Sequence, residues 1–285
     1  MRFNEQILRD DNDSIIIKSF HSSVLPGKRE YNAHHHTECE LSLFITGSGV
    51  YSVGDREYSF GSGDMFLFGS NEAHCITEIS GELNLLNIHF EPRILWETPE
   101  NSELLKIFTA RKKNFSNKFT HTDQELKGLI LKAEKEMVKK EPGHRIQVKY
   151  ALLAALIHII RKYDYIKTDS RGPENFAVSE RLKDAIIYIN RNLEKNITLK
   201  DIADAACLTP TYFSAVFKKY NGISPWDYIK IKRVEKAIEL LKTTNMTKLE
   251  IAEKCGFNSS SNFYKIFIEI TGKKPGDYLP SLLLK

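Results

Sequence analysis

The sequence predicts a mixed fold, with an antiparallel β domain in the N-terminal part and an all-α C-terminal domain carrying two helix-turn-helix units. Three observations carry this. Short β-branched and aromatic runs fill residues 14–90, helical composition sets in near residue 123, and the last hundred residues contain one pattern twice. The 285 residues suffice for two cores, and the hydrophobic (41%) and charged (27%) fractions are those of an ordinary globular chain.

The opening stretch MRFNEQILRDDNDS is polar and acidic, which excludes a signal-peptide core. The longest apolar run, ALLAALIHII at 151–160, is too short to span a bilayer. A cytoplasmic protein with no membrane partner is therefore expected. Cys39, Cys75, Cys207 and Cys255 form no C-x-x-C pair and read as reduced thiols. The net charge of +4 is uneven: Ala177–Lys285 holds 18 Lys+Arg against 12 Asp+Glu, and the rest holds 23 against 25. A basic C-terminal third points to a polyanionic partner.

SIIIKSF, ELSLFIT, VYSV, EYSF, DMFLF and LNLLNIHF read as strands. Gly47-Ser48-Gly49, Gly54-Asp55 and Gly61-Ser62-Gly63 break them at regular intervals, as in an antiparallel sandwich or barrel. TDQELKGLILKAEKEMVKK then reads as a helix stopped by Pro142-Gly143, and RIQVKYALLAALIHIIRKY as a second. From 151 to 160 this second helix is apolar nearly all round, so it must be covered on two sides. Its own sheet could cover both, or a partner subunit could supply one; a dimer helix is the expectation adopted. KTDSRGPEN at 167–175 reads as a linker. The expected divisions are 1–122, a helical dimerisation and linker region at 123–176, and 177–285.

The repeat is ITLKDIADAACLTPTYFSAVFKKYNGISPWDYI and then MTKLEIAEKCGFNSSSNFYKIFIEITGKKPGDYL. Ile202-Ala203 corresponds to Ile251-Ala252 at an offset of 49. Phe213, Phe217, Gly222, Pro225 and Tyr228 correspond to Phe263, Phe267, Gly272, Pro275 and Tyr278 at an offset of 50. Each copy reads as helix, tight turn, helix. Thr198 caps the first helix with Asp201 near its positive end, and Thr209 caps the second with Pro210 at its first position. In copy two, Thr247 and Glu250 make a capping box, Gly256 lies in the turn, and Asn258 or Ser259 caps the second helix. The i, i+4 phenylalanines give each second helix one buried seam. The outward faces then carry Thr211, Ser214, Ala215 and Lys218 in one copy, and Ser260, Ser261, Tyr264 and Lys265 in the other.

Between the copies, SPWDYIKIKRVEKAIELLKTT reads as a stiff helix capped by Ser224, with Trp226, Ile229, Val234, Ala237 and Leu241 as its apolar stripe. A rod holding two units about 34 Å apart would let both second helices enter successive major grooves of double-stranded DNA. Helix-turn-helix shapes also pack proteins together; two copies, a rod and local positive charge decide for DNA.

These residues resemble the DNA-binding domain of the AraC/XylS family of bacterial transcription regulators, from about Ser179 to Tyr278. The resemblance implies a regulator that contacts adjacent major grooves of a promoter, acts with RNA polymerase, activates in most cases, and answers a small molecule, commonly sugar-related. Copy two departs from the family pattern: the usual basic pair after the second phenylalanine is Ile268-Glu269, and the usual arginine after the last tyrosine is Leu279. Copy one keeps Lys218-Lys219. Weaker backbone contacts are therefore expected from copy two. The outward residues lack arginine, so Lys265 is the best candidate for a guanine contact, with a phosphate contact as the alternative.

His34-His35-His36-Thr37-Glu38-Cys39-Glu40 is the densest cluster of metal-binding side chains. The N-terminal half resembles the cupin-like barrel that serves as sensor in many family members, through His34-x-His36-x-x-x-Glu40, Gly47, and Gly63 to His74. That resemblance implies His34, His36, Glu40 and His74 as effector-binding residues, or as ligands of a divalent metal such as zinc, manganese, iron or nickel. Geometry weighs against the metal: an unbroken strand would put His36 and Glu40 roughly 13 Å apart, and Thr37-Glu38-Cys39 contains no turn former. The alternative to an effector-responsive regulator is a metal-dependent cupin sensor or enzyme fused to a DNA reader. No Ser/His/Asp arrangement, phosphate-cradling loop or nucleotide fingerprint supports an enzyme.

Overall fold

The structure is a computed structural model and describes residues 2–9, 15–24, 36–96, 101–167 and 176–278. It divides into two compact units: the first holds the described residues up to Ser179 except His36 and Thr37, which are grouped with the second, running from Glu180. The linker stretch 168–175 lies outside the described residues.

The first unit is built on an antiparallel sheet. Its strands are β1 (Arg2–Arg9), β2 (Ile15–Val24), β3 (Cys39–Val53), β4 (Arg56–Phe60), β5 (Met65–Phe68), β6 (His74–Phe90) and β7 (Lys118–Phe119). They are ordered β1-β2-β6-β3-β5-β7, with β4 paired to β3. Two features differ from the sequence reading. The polar N-terminal stretch forms β1, because backbone pairing with β2 does not depend on apolar side chains. ELSLFIT and VYSV are one strand, since β3 passes through Gly47-Ser48-Gly49 with register shifts against β6. Gly47 takes φ 89°, and a Cβ on Gly49 would lie 1.9 Å from the Glu78 carbonyl oxygen. The glycines bend a strand that touches its neighbour's backbone; they do not end it.

One face of the sheet buries an aromatic core of Phe44, Tyr51, Phe60, Phe66 and Phe68, with Phe44 stacked on Phe60 at 4.0 Å. After β6 comes a short helix, α1 (Lys106–Thr109), then α2 (Gln124–Lys139) and α3 (His144–Lys162), which pack on each other. Asp123 caps α2 by accepting from the Leu126 amide. The same carboxylate meets His158 Nε2 at 2.9 Å, Tyr163 Oη at 2.8 Å and Lys162 Nζ at 3.0 Å, which ties α2 to the end of α3. In the apolar run of α3, Ala151, Leu152, Ala155, Leu156 and Ile159 are buried within the unit. The exposed apolar side chains of α3 lie earlier, at Ile146 and Tyr150.

The second unit is helical: α4 (Phe176–Arg191), α5 (Leu199–Ala205), α6 (Pro210–Asn221), α7 (Pro225–Thr243), α8 (Lys248–Lys254), α9 (Ser260–Thr271) and a 3₁₀ turn at Pro275–Tyr278. Among the described residues no helix is long and apolar enough to cross a membrane.

Candidate nucleic-acid interface and sensor site

The two heads are α5–α6 and α8–α9. Capping boxes open both first helices: Thr198 with Asp201 and Thr247 with Glu250 exchange side-chain and backbone bonds at α5 and α8. Thr209 stands at the N-cap of α6 without a side-chain bond, and Pro210 begins that helix. Ser259, of the two candidates, caps α9 by accepting from the Asn262 amide. Both second helices end on a left-handed glycine, Gly222 and Gly272.

Phe213, Phe217, Phe263 and Phe267 are fully buried, and each i, i+4 pair is separated by 5.4 Å. The sequence repeat is thus a repeat of packing. Between the heads, α7 is capped by Ser224 and buries Ile229, Val234, Ala237 and Leu241. Trp226, expected in that stripe, is exposed, and Tyr228 and Ile231 take buried places instead. The 19 residues of α7 make a rod of about 28 Å.

Of the residues assigned to the outward faces, Thr211, Ala215, Lys218, Lys219, Ser261 and Lys265 are exposed. Ser214, Ser260 and Tyr264 are half-buried, the last packing edge-on to Phe263. Sequence reasoning misses two residues. Tyr212 and Asn262 occupy equivalent, exposed positions in the first turns of α6 and α9. Each directly precedes a seam phenylalanine, so carrying the helical face one residue further would have found them. The last turn of α6 holds Lys218 and Lys219, whereas that of α9 holds no basic residue. Leu279 lies outside the described residues.

In the first unit, Lys18, His89, Glu40 and Phe68 form one row across β2, β6, β3 and β5. Neighbours in such a row point to the same face. Glu40 and His89 are therefore adjacent, with His89 Nε2 2.9 Å from Glu40 Oε2. His74 Nε2 lies 3.3 Å from the same oxygen. Ser42 Oγ is within hydrogen-bond distance of Glu40 Oε1 and, at 2.9 Å, of Asn87 Oδ1. Glu40, Ser42, His74, Asn87 and His89 are all buried.

His74 faces the Glu72 carbonyl with Nδ1 at 2.7 Å and stacks on Phe68 at 4.2 Å. Burial, the largest single effect, pushes its pKa down, but the bond to and charge of the Glu40 carboxylate, with the Glu72 carbonyl and carboxylate, together outweigh it and raise the pKa.

The cupin likeness implies a metal here, and the donors can be checked against one. The chain bends at Thr37-Glu38 ahead of β3, despite the absence of a turn former. Both residues are buried, and Glu38 is fixed by Lys18 Nζ at 2.9 Å, so tertiary contacts hold the bend. Ligand atoms of His36, Glu40 and His89 all lie within 4.8 Å of one another. Two imidazoles and a carboxylate fit a divalent transition metal. His34 lies outside the described residues, and His74 stands against Glu40 rather than in the group of three. Sequence reasoning misses His89 because it is remote in the chain and enters only through the β3–β6 register.

Twin helix-turn-helix heads on a rod in one unit, and an antiparallel sheet with a buried polar row in the other, define a DNA-binding transcriptional regulator with a ligand-binding domain. Comparison with known proteins agrees. Residues 202–281 match the helix-turn-helix domain family, and residues 27–156 match the AraC-like ligand binding domain family. The chain belongs to the AraC family of transcriptional regulators. It is 25% identical over 248 residues to the arabinose operon regulatory protein of Escherichia coli (strain K12), covering 84% of this chain and 79% of that one. It is 23% identical over 243 residues to the transcriptional activator RhaR of Enterobacter sp. (strain 638), covering 85% and 84%. The transposon Tn10 TetD protein of Escherichia coli is 37% identical over 97 residues, 34% of this chain and 70% of that one. Among solved structures, ToxT from Vibrio cholerae shares the fold with a TM-score of 0.61 at 15% identity, over 92% of this chain and 97% of that one.

Proposed function

We propose that this regulator is an effector-responsive activator of a sugar-related catabolic operon, acting in the cytoplasm as a homodimer and contacting RNA polymerase. The two relatives named for arabinose operon regulation and for RhaR support the sugar class. The observation that carries the DNA half is the duplicated packing of α6 and α9 on their phenylalanine seams. Thr211, Ser214, Ala215, Ser260, Ser261, Tyr264 and Lys265 meet bases, while Lys218 and Lys219 hold phosphates. The effector lies against Glu40, His74 and their neighbours, and shifts the population between two dimer geometries, one of which suits the operator. Mapping of genome-wide binding sites, and then thermal shifts with a sugar panel, tests this. Sites beside carbohydrate genes and a rise in melting temperature with one sugar are expected. Sites scattered without such neighbours, with no sugar raising the melting temperature, would rule the sugar class out.

One observation favours a second reading, a metal-responsive sensor: the convergence of His36, Glu40 and His89. Elemental analysis of the purified full chain tests it. The reading expects one divalent metal per chain, lost in His89→Ala, and a fall in melting temperature with chelator. Metal-free protein indifferent to added zinc would end it.

A further inference from the structure

The turns of the two heads are held differently. In the first, Cys207 is left-handed (φ 51°) and exposed, and its carbonyl accepts from Arg181 Nη1 of α4 at 3.4 Å. In the second, Gly256 is left-handed (φ 80°), and a Cβ there would lie 2.2 Å from the Leu193 carbonyl oxygen and 2.9 Å from Arg233 Nη2. Gly256 therefore rests on the chain just beyond α4, an approach only glycine permits. The Leu193 carbonyl beneath it accepts from Arg233 Nε at 2.9 Å, and the Lys195 carbonyl accepts from Arg233 Nη2 at 2.7 Å. Lys236, one turn further along α7, pairs with Glu194 at 3.0 Å. The chain just beyond α4, the middle of α7 and the turn of the second head all meet at one guanidinium.

A rod fixes the distance between two heads but not the rotation of one head about the rod's axis. In the chain the segment 244–247 joins α7 to α8, and α7 also packs against α8 and α9 along its own length. A rotation of roughly 20° at about 10 Å from the axis would move a reading helix by about one base-pair step of 3.4 Å. An attachment off the axis prevents this, and Arg233 with Gly256 supplies one. We propose that Arg233 is a positioning residue that sets the angle of α9 relative to α6, and so the half-site spacing the protein accepts. This rests on the reading of α6 and α9 as the two DNA-contacting helices.

The test uses the full chain and a duplex selected by it from a random pool. Derivatives carry one base pair inserted between the half-sites, or one half-site scrambled. Wild-type protein is expected to lose about tenfold in affinity on the insertion. Arg233→Met, which keeps the stem and removes the donors, is expected to bind the selected duplex about tenfold more weakly. On the scrambled duplex it should match wild type within about twofold, and the insertion should now matter by only about twofold. Gly256→Ala, whose added methyl would press on the Leu193 carbonyl and on the guanidinium, should behave the same way, and Arg233→Lys should fall between. Equal losses by Arg233→Met on one- and two-half-site duplexes, tracking a lower melting temperature, would overturn the proposal, as would unchanged spacing preference. A wild-type protein blind to the insertion and to the scrambling would remove the twin-head reading, and this inference with it.

Discussion

The ring of Tyr228 stands edge-on to that of Phe217, 5.5 Å away at 79°. Tyr278 and Phe267 repeat the arrangement at 5.4 Å and 80°. Each tyrosine comes after the left-handed glycine that ends a reading helix, so the ring pair locks the returning chain onto the helix it has just left. Phe217→Ala and Phe267→Ala should each destabilise the second unit by about 3–5 kcal/mol. Urea unfolding of the full chain measures this, and a loss below about 1 kcal/mol for either would deny the seam its role.

Lys218 and Lys265 are both exposed on reading helices but are assigned different tasks. Lys218→Ala should weaken binding to every sequence alike and lower the salt slope by about one. Lys265→Ala should change which base is preferred at one position. Titrations of single-base operator variants at two salt concentrations separate them, and equal losses on all variants for Lys265→Ala would refute the base contact.

Asp123 gives the first unit a definite acid response. Burial alone would raise its pKa, but bonds from Tyr163, His158, Lys162 and the Leu126 amide hold it at about 2. Because the folded value lies below the unfolded one, the contribution is complete above about pH 4 and is lost as pH falls toward 2. It amounts to about 2 kcal/mol. Asp123→Asn should remove that stretch of pH dependence from denaturant midpoints measured between pH 5 and pH 2. An unchanged profile would place the acid sensitivity elsewhere.

Two glycines should respond oppositely to alanine. At Gly49 the added methyl would meet the Glu78 carbonyl, so Gly49→Ala should disrupt the β3–β6 ladder and lower the melting temperature. At Gly128, within α2, nothing lies within 4 Å, so Gly128→Ala should stabilise by about 1 kcal/mol. Thermal melts of the two variants check both signs, and a neutral Gly49→Ala would contradict the close approach of the strands.

What could be read from sequence was local. The caps at Thr198, Thr247 and Ser224, the phenylalanine seams and the positions of the heads depend on residues three or four apart, and these expectations match the structure. The features that escaped depend on contacts distant in the chain. His89 reaches Glu40 through strand register, and β3 runs through three residues that resemble a turn because Glu78 faces them. The bend before Cys39 has no local signal, since buried neighbours impose it. Gly256 could be placed in a turn from sequence, but the carbonyl of Leu193 beneath it could not.

The seating of Gly256 on the far end of α4 makes that helix a lever. A twist entering α4 at its first residues needs no passage through α5, α6 or α7 to reach the distal head. Both heads lean on that one helix, the first through Arg181 and Cys207 and the second through Leu193 just past its end.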